Sequence, residues 1–291
     1  MRKSACAATL ALGAILAVPA NGSAIYNNLT PNNSMAVASR PGLGTFEIEA
    51  ADDFFLGTPS TINSASFVGL VIPGVASGNP TVTSVVIEIY RVFPQDSNTG
   101  RTFTVPTRAN SPSDLAFDSR DSGPQLSFST TVLSAAFTAS NSVQPGGIHP
   151  SPNQNTLGNG PVTGQEVQVN VVFTTPFNLP ADHYFFVPQI GLSDGANFYW
   201  LSASRPINGS GTTPFPSGVT DLQAWTRDQF LDPDWLRAGT DIVGGATPPT
   251  FNLAFSLDGV AAAEPPDTLL LLSGLALVVI GRRGWSRGQL R

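Results

Sequence analysis

The feature that most constrains this 291-residue chain is an alternation of apolar and polar residues with a period of two, repeated along its central segment. Phe46, Ile48 and Ala50 alternate with Glu47 and Glu49; Val85, Ile87 and Ile89 alternate with Val86, Glu88 and Tyr90; Val167, Val169, Val171 and Phe173 alternate with Gln168 and Asn170. Near the end, Phe251, Leu253, Phe255 and Leu257 alternate with Asn252, Ala254, Ser256 and Asp258. Successive side chains of a strand point to opposite faces, so this period predicts strands buried on one side; a helix would repeat every 3.6 residues. Further strands are predicted over residues 62–72, 126–137, 184–190 and 198–203. No convincing amphipathic helix intervenes, which argues against a doubly wound parallel sheet. The prediction is an all-β fold, an antiparallel β-sandwich for which jelly-roll connections are one topology.

Composition agrees with the pattern. Charged residues make up 12% of the chain, half the ~25% of an ordinary soluble domain, and Gly 28 with Pro 25 supply abundant turn formers. Hydrophobic residues at 41%, with 18 Phe, suffice for a core, and one domain is expected over residues 25–260. The polar stretch 141–164 reads as a long loop or a boundary between subdomains. The less regular segment 221–245 reads as a decorated loop, with one or two helical turns at 221–227.

Both ends read as addresses. Arg2 and Lys3, an apolar run from Ala5 to Val18 and the small residues Gly22, Ser23 and Ala24 describe a secretory signal peptide, residues 1–24. Its removal takes away Cys6 and Lys3, the chain's only cysteine and lysine, and with them disulfides, thiol nucleophiles and Schiff-base chemistry. At the other end Glu264, Pro265, Pro266, Asp267 and Thr268 precede the apolar run Leu269 to Ile280. Arg282, Arg283, Trp285, Arg287 and Arg291 follow it. A transmembrane helix is predicted over 268–281, lengthened by snorkelling arginines, with the cationic tail retained in the cytoplasm and the main domain outside.

This order of elements resembles the PEP-CTERM sorting signal of exported bacterial proteins. The resemblance covers about residues 261–291, rests on Glu264, Pro265, Pro266, Thr268, Arg282 and Arg283, and departs from the family motif at Ala263, where a proline is expected. It implies an exosortase-type sorting protease as partner, membrane anchoring before sorting, and then the surface or surroundings of an exopolysaccharide-forming bacterium.

Motifs for chemistry are sparse. His149 lies in the Pro-rich loop and His183 beside Asp182 in a turn, and both read as local hydrogen-bonding residues. No nucleophile elbow, zinc helix or phosphate loop occurs. The carboxylates Glu47, Glu49, Asp52 and Asp53 read as solvated strand-face and turn groups, although a glycosidase needs only two carboxyls at the right separation. Asp228, Asp232, Asp234 and Asp241 fall within fourteen positions and are the calcium candidates, without EF-hand spacing. Trp200, Trp225 and Trp235 are candidates for stacking on sugars. Setting aside Arg2, Lys3, Arg282, Arg283, Arg287, Arg291, Glu264 and Asp267 leaves 8 basic and 18 acidic residues, a net charge near −10 that argues against nucleic acid as a partner. The functional expectation is a structural or adhesive protein of the cell surface or extracellular matrix and not an enzyme. A secreted carbohydrate-binding module and a secreted glycoside hydrolase or other hydrolase are the alternatives.

Overall fold

A computed structural model describes residues 23–74, 80–149, 155–205 and 221–262. The strands among them, numbered in chain order, are β1 (Ser23–Asn27), β2 (Pro31–Ala38), β3 (Ile48–Leu56), β4 (Ser60–Ile72), β5 (Val82–Arg91), β6 (Asp118–Asp121) and β7 (Leu126–Ala139). They continue with β8 (Ser142–Val143), β9 (Val162–Leu179), β10 (Asp182–Leu192), β11 (Asn197–Ala203), β12 (Trp225–Asp228), β13 (Leu236–Arg237), β14 (Asn252–Leu253) and β15 (Phe255–Ala261). The chain is mostly β, as the alternation predicts. Residues 1–22 of the expected signal peptide and residues 263–291, with the sorting motif and the expected membrane helix, lie outside the described residues. Among those described, no helix is long and apolar enough to cross a membrane.

Two sheets form. One has nine strands in the order β1-β15-β4-β11-β2-β8, with β14 against β11, β9 against β4, and β7 outermost against β9. The other has six, in the order β13-β12-β3-β10-β5-β6. Pairing is antiparallel throughout except between β2 and β8. The sheets share one core in which alternate residues of both interdigitate. Phe186 of the six-stranded sheet stacks on Phe255 of the other at 5.0 Å between ring centroids, and Phe67 meets Phe186 edge-on at 6.1 Å. Such aromatic contacts contribute beyond their buried area. Gly69 makes a further one possible, that of Phe198 with Phe67. A Cβ there would stand 2.3 Å from the Phe198 ring, so the ring lies directly over the bare backbone of β4.

The structure departs from simple alternation on β3, which is buried on both faces and not one. A second cluster, including Ala51, Tyr90, Phe185, Val187, Trp225 and Trp235, lies on the outer face of the six-stranded sheet. Segment 221–243 helps to cover it. That segment is strand at β12 and β13, followed by one short helical turn of π type at Ala238–Val243, so the helical turns expected at 221–227 are corrected to extended chain and strand. Pairing decides the outcome: Trp225 and Arg227 lie opposite Ala51 and Glu49 of β3, which a helix could not match. The described part of the 141–164 stretch is anchored, with the Thr156 N–H donating to the Ile242 carbonyl at 2.9 Å.

Candidate functional site

The covered outer face of the six-stranded sheet carries the main polar constellation. On β3 and β12, Glu49 and Arg227 are cross-strand partners. On β5, Glu88 and Tyr90 project to the same face, opposite Val187 and Phe185 of β10. The Tyr90 hydroxyl donates within reach of both Glu49 Oε1 at 3.0 Å and Glu88 Oε2 at 3.1 Å, and accepts from Arg227 Nη2 at 2.8 Å. Arg227 also pairs through Nε with Glu49 and through Nη1 with Asp232 at 2.6 Å. Glu47 Oε1 accepts from the Gln189 amide at 2.9 Å. The network borders an open cleft of about 760 Å³ whose walls include Glu47, Tyr90, Asp96, Arg101, Arg227 and Asp232.

Burial, then the Glu49 charge and a hydrogen bond with Glu49, push the Glu88 carboxyl up to about 8. Glu47 is also raised, first by burial and then by Glu49. The cleft wall therefore carries one raised carboxyl, Glu47, while Glu88, which keeps its proton near neutral pH, and Glu49, held by Arg227, are joined to the cleft through Tyr90 and Arg227 and do not line it. Glu49 and Glu88 both reach a single hydroxyl, so they abut. Glycosidase carboxyls stand about 5–9.5 Å apart with room for the sugar between them.

The residues singled out in the sequence are placed as follows. Trp200, Trp225 and Trp235 are all 1% exposed or less. Trp200 Nε1 donates to the Ala254 carbonyl at 2.9 Å, and Arg227 lies over the Trp235 ring at 4.3 Å. With no ring face open to solvent, sugar stacking on them is corrected to core packing. The four aspartates of the calcium candidate do not share a ligand position. Asp228 Oδ1 accepts the Phe230 and Leu231 N–H groups, Asp232 pairs with Arg227, Asp234 with Arg101 and Arg108, and Asp241 with Arg237 at 2.5 Å. Among the described residues no group of three or more His, Cys, Asp or Glu side chains is placed to hold a metal ion. His183 Nε2 meets Asp53 Oδ2 at 2.5 Å, and both nitrogens of His149 lack a hydrogen-bond partner.

The solvated reading of Glu49, Asp52 and Asp53 is also corrected, since each is 3% exposed or less. The covering segment comes from far along the chain, and period two cannot show whether a polar face is covered. One signal was present: adjacent aspartates on a strand must point to opposite faces, so one of the pair Asp52-Asp53 had to face the core side defined by Ile48, Ala50 and Phe54.

No protein family, curated protein or solved structure matches this chain.

Proposed function

We propose that this chain is an exported structural or adhesive protein of the cell surface or extracellular matrix, whose β-sandwich associates with further copies of itself through a sheet edge. The observation that carries this reading is β7. It is the outermost strand of its sheet, fourteen residues long, without a charged residue or proline, and mostly exposed. Its first seven residues, Leu126 to Val132, pair in unbroken register with Phe173 to Val167 of β9 and leave the opposite edge without a strand among the described residues. Soluble proteins ordinarily blunt such edges with lysine, proline or very short strands, and a seven-residue β-prone run without charge is a template for pairing with another strand. Two copies can meet here antiparallel without like-charge repulsion. Exposed Val132 and Leu133 add apolar surface beside the edge.

Export and the PEP-CTERM-like segment supply the location. By that resemblance an exosortase-type protease and the membrane are transient partners, and exopolysaccharide is the surrounding matrix. The intact mass of the protein from its native host tests this part: a species running from near Ile25 to between Ala263 and Pro266 supports sorting, and retained C-terminal arginines refute cleavage. Sedimentation of the full chain tests the edge. Concentration-dependent assembly should be lost in the double variant Thr130→Lys, Val132→Lys with the circular dichroism unchanged; a native protein that stays monomeric at high micromolar concentration refutes the adhesive reading.

The raised Glu47 carboxyl on the cleft wall favours a second reading, a secreted hydrolase of glycans. Turnover of a polysaccharide that vanishes in Glu47→Gln would support it, and no turnover by the native protein would remove it. A carbohydrate-binding module would have to use this cleft, since the tryptophans are buried. Unretarded migration through glycan-containing gels would dismiss it.

A further inference from the structure

At the end of β3 that extends past β12, a second group of polar side chains lies apart from the cleft. The β3–β12 pairing runs from Ile48 to Ala51, after which Asp52 points toward the core side and Asp53 toward the outer face. Asp52 Oδ2 accepts the Leu253 N–H at 2.8 Å. Asp221 Oδ2 accepts from Asn252 Nδ2 at 2.9 Å and from Arg205 Nε at 2.8 Å. Asp52 and Asp221 are thus held against consecutive residues of β14, and the donated Nδ2 fixes the Asn252 amide with its oxygen turned away from Asp221 Oδ2.

Each of the three side chains keeps one oxygen without a hydrogen-bond partner: Asp52 Oδ1, Asp221 Oδ1 and Asn252 Oδ1. The residues are 0%, 2% and 1% exposed. Buried polar atoms are almost always paired, and a carboxylate oxygen left bare in the interior is among the costliest groups a fold can hold. Charge points the same way. Asp52, Asp53 and Asp221 are balanced locally by Arg205 and, when it is protonated, His183.

We propose that Asp52, Asp221 and Asn252 form a calcium site that ties β3 to β14 and to the start of the 221–224 segment. Oxygen-only donors select a hard cation, and calcium accepts carboxylate, amide carbonyl and water oxygens in flexible geometry, whereas zinc prefers nitrogen and sulfur and magnesium demands a near-ideal octahedron. Two carboxylates and one amide, completed by water, place the affinity in the weak range of extracellular calcium modules, about 10⁻⁴–10⁻³ M.

The test uses the full chain stripped with EGTA. Calcium in large excess should raise the thermal midpoint by about 5 °C. Terbium should bind with luminescence sensitised through Tyr26, whose ring lies 4.7 Å from the Arg205 guanidinium, and calcium should displace it. Asp221→Asn and Asn252→Ala should each weaken the response at least tenfold, while Asp228→Asn leaves it unchanged. Should Asp221→Asn fail to fold, Asn252→Ala, which retains both carboxylates, decides alone. A midpoint indifferent to calcium with no terbium signal overturns the site, as does a response that survives Asn252→Ala intact.

Discussion

Replacing Glu88 by glutamine should make the protein more stable in alkali and no different in acid. In the fold Glu88 holds its proton to about 8, against 4.5 as an ordinary side chain. Between those values the native state binds more protons than the unfolded state, so stability falls as pH rises. The contribution of the neutral carboxyl is complete below about 4.5 and lost as pH passes through about 8. Each pKa unit corresponds to about 1.4 kcal/mol, so the interval sets a ceiling of ~5 kcal/mol. Glu88 is only partly buried, so water screens its charge, which brings the expected penalty to ~2 kcal/mol. Glutamine keeps the shape and the neutral state at every pH. For a domain of this size ~2 kcal/mol corresponds to about 4–8 °C in the thermal midpoint. Scanning calorimetry from pH 4 to pH 9 should therefore give coincident midpoints at the acid end and a Glu88→Gln midpoint higher by that margin at the alkaline end. Glu47, Asp52 and Asp221 are also raised and tilt both proteins alike, so the difference between the curves isolates Glu88. Parallel curves would refute the reasoning, because they would mean that Glu88 ionises in the fold as it does in water.

Arg227→Ala should destabilise by about 3–5 kcal/mol at neutral pH, because it leaves Glu49 buried with no cationic partner. Urea denaturation measures this, and a loss under 1 kcal/mol would show that Glu49 is solvated or neutral. Arg227→Lys should recover little, since one ammonium cannot reach Glu49, the Tyr90 hydroxyl and Asp232 together as the guanidinium does. Gly69→Ala should cost about 1–3 kcal/mol by the same assay, as its Cβ would meet both the Phe198 ring and the Tyr199 carbonyl oxygen; a neutral substitution would mean that both give way.

The strands were legible because the inner face of each sheet is apolar at every second residue, and no covering element alters that reading for β9 or β15. The outer layer was not legible because its partners are distant. Glu49 meets an arginine 178 residues away, and Asp234 meets one 133 residues away. A run such as Asp228, Asp232, Asp234 and Asp241 looks like one cluster along the chain, yet its members are divided among Arg227, Arg101, Arg108, Arg237 and a turn backbone. Tryptophan carries no sign of which of its surroundings will be wet, and Trp225 and Trp235 sit on a sheet face that alternation treats as exposed.

Asp52 behaves differently, because its misfit is visible in the strand itself. Ile48, Ala50, Asp52 and Phe54 form one face of β3, and a carboxylate in that row has no local residue to neutralise it. Only backbone N–H groups, a proton or a cation can answer it. The fold supplies one N–H, from Leu253, and brings Asp221 and Asn252 to the strand beside it, where Arg205 and the Asn252 amide both donate to Asp221 Oδ2 and Asp52 Oδ1 is left without a partner. The arginine that the fold brings there, Arg205, pairs with Asp221, and among the described residues Asp52 has no ion-pair partner of its own. Unpartnered carboxylate and amide oxygens are what the proposed site for a hard cation requires, so that proposal stands or falls with the residue that breaks the pattern of β3.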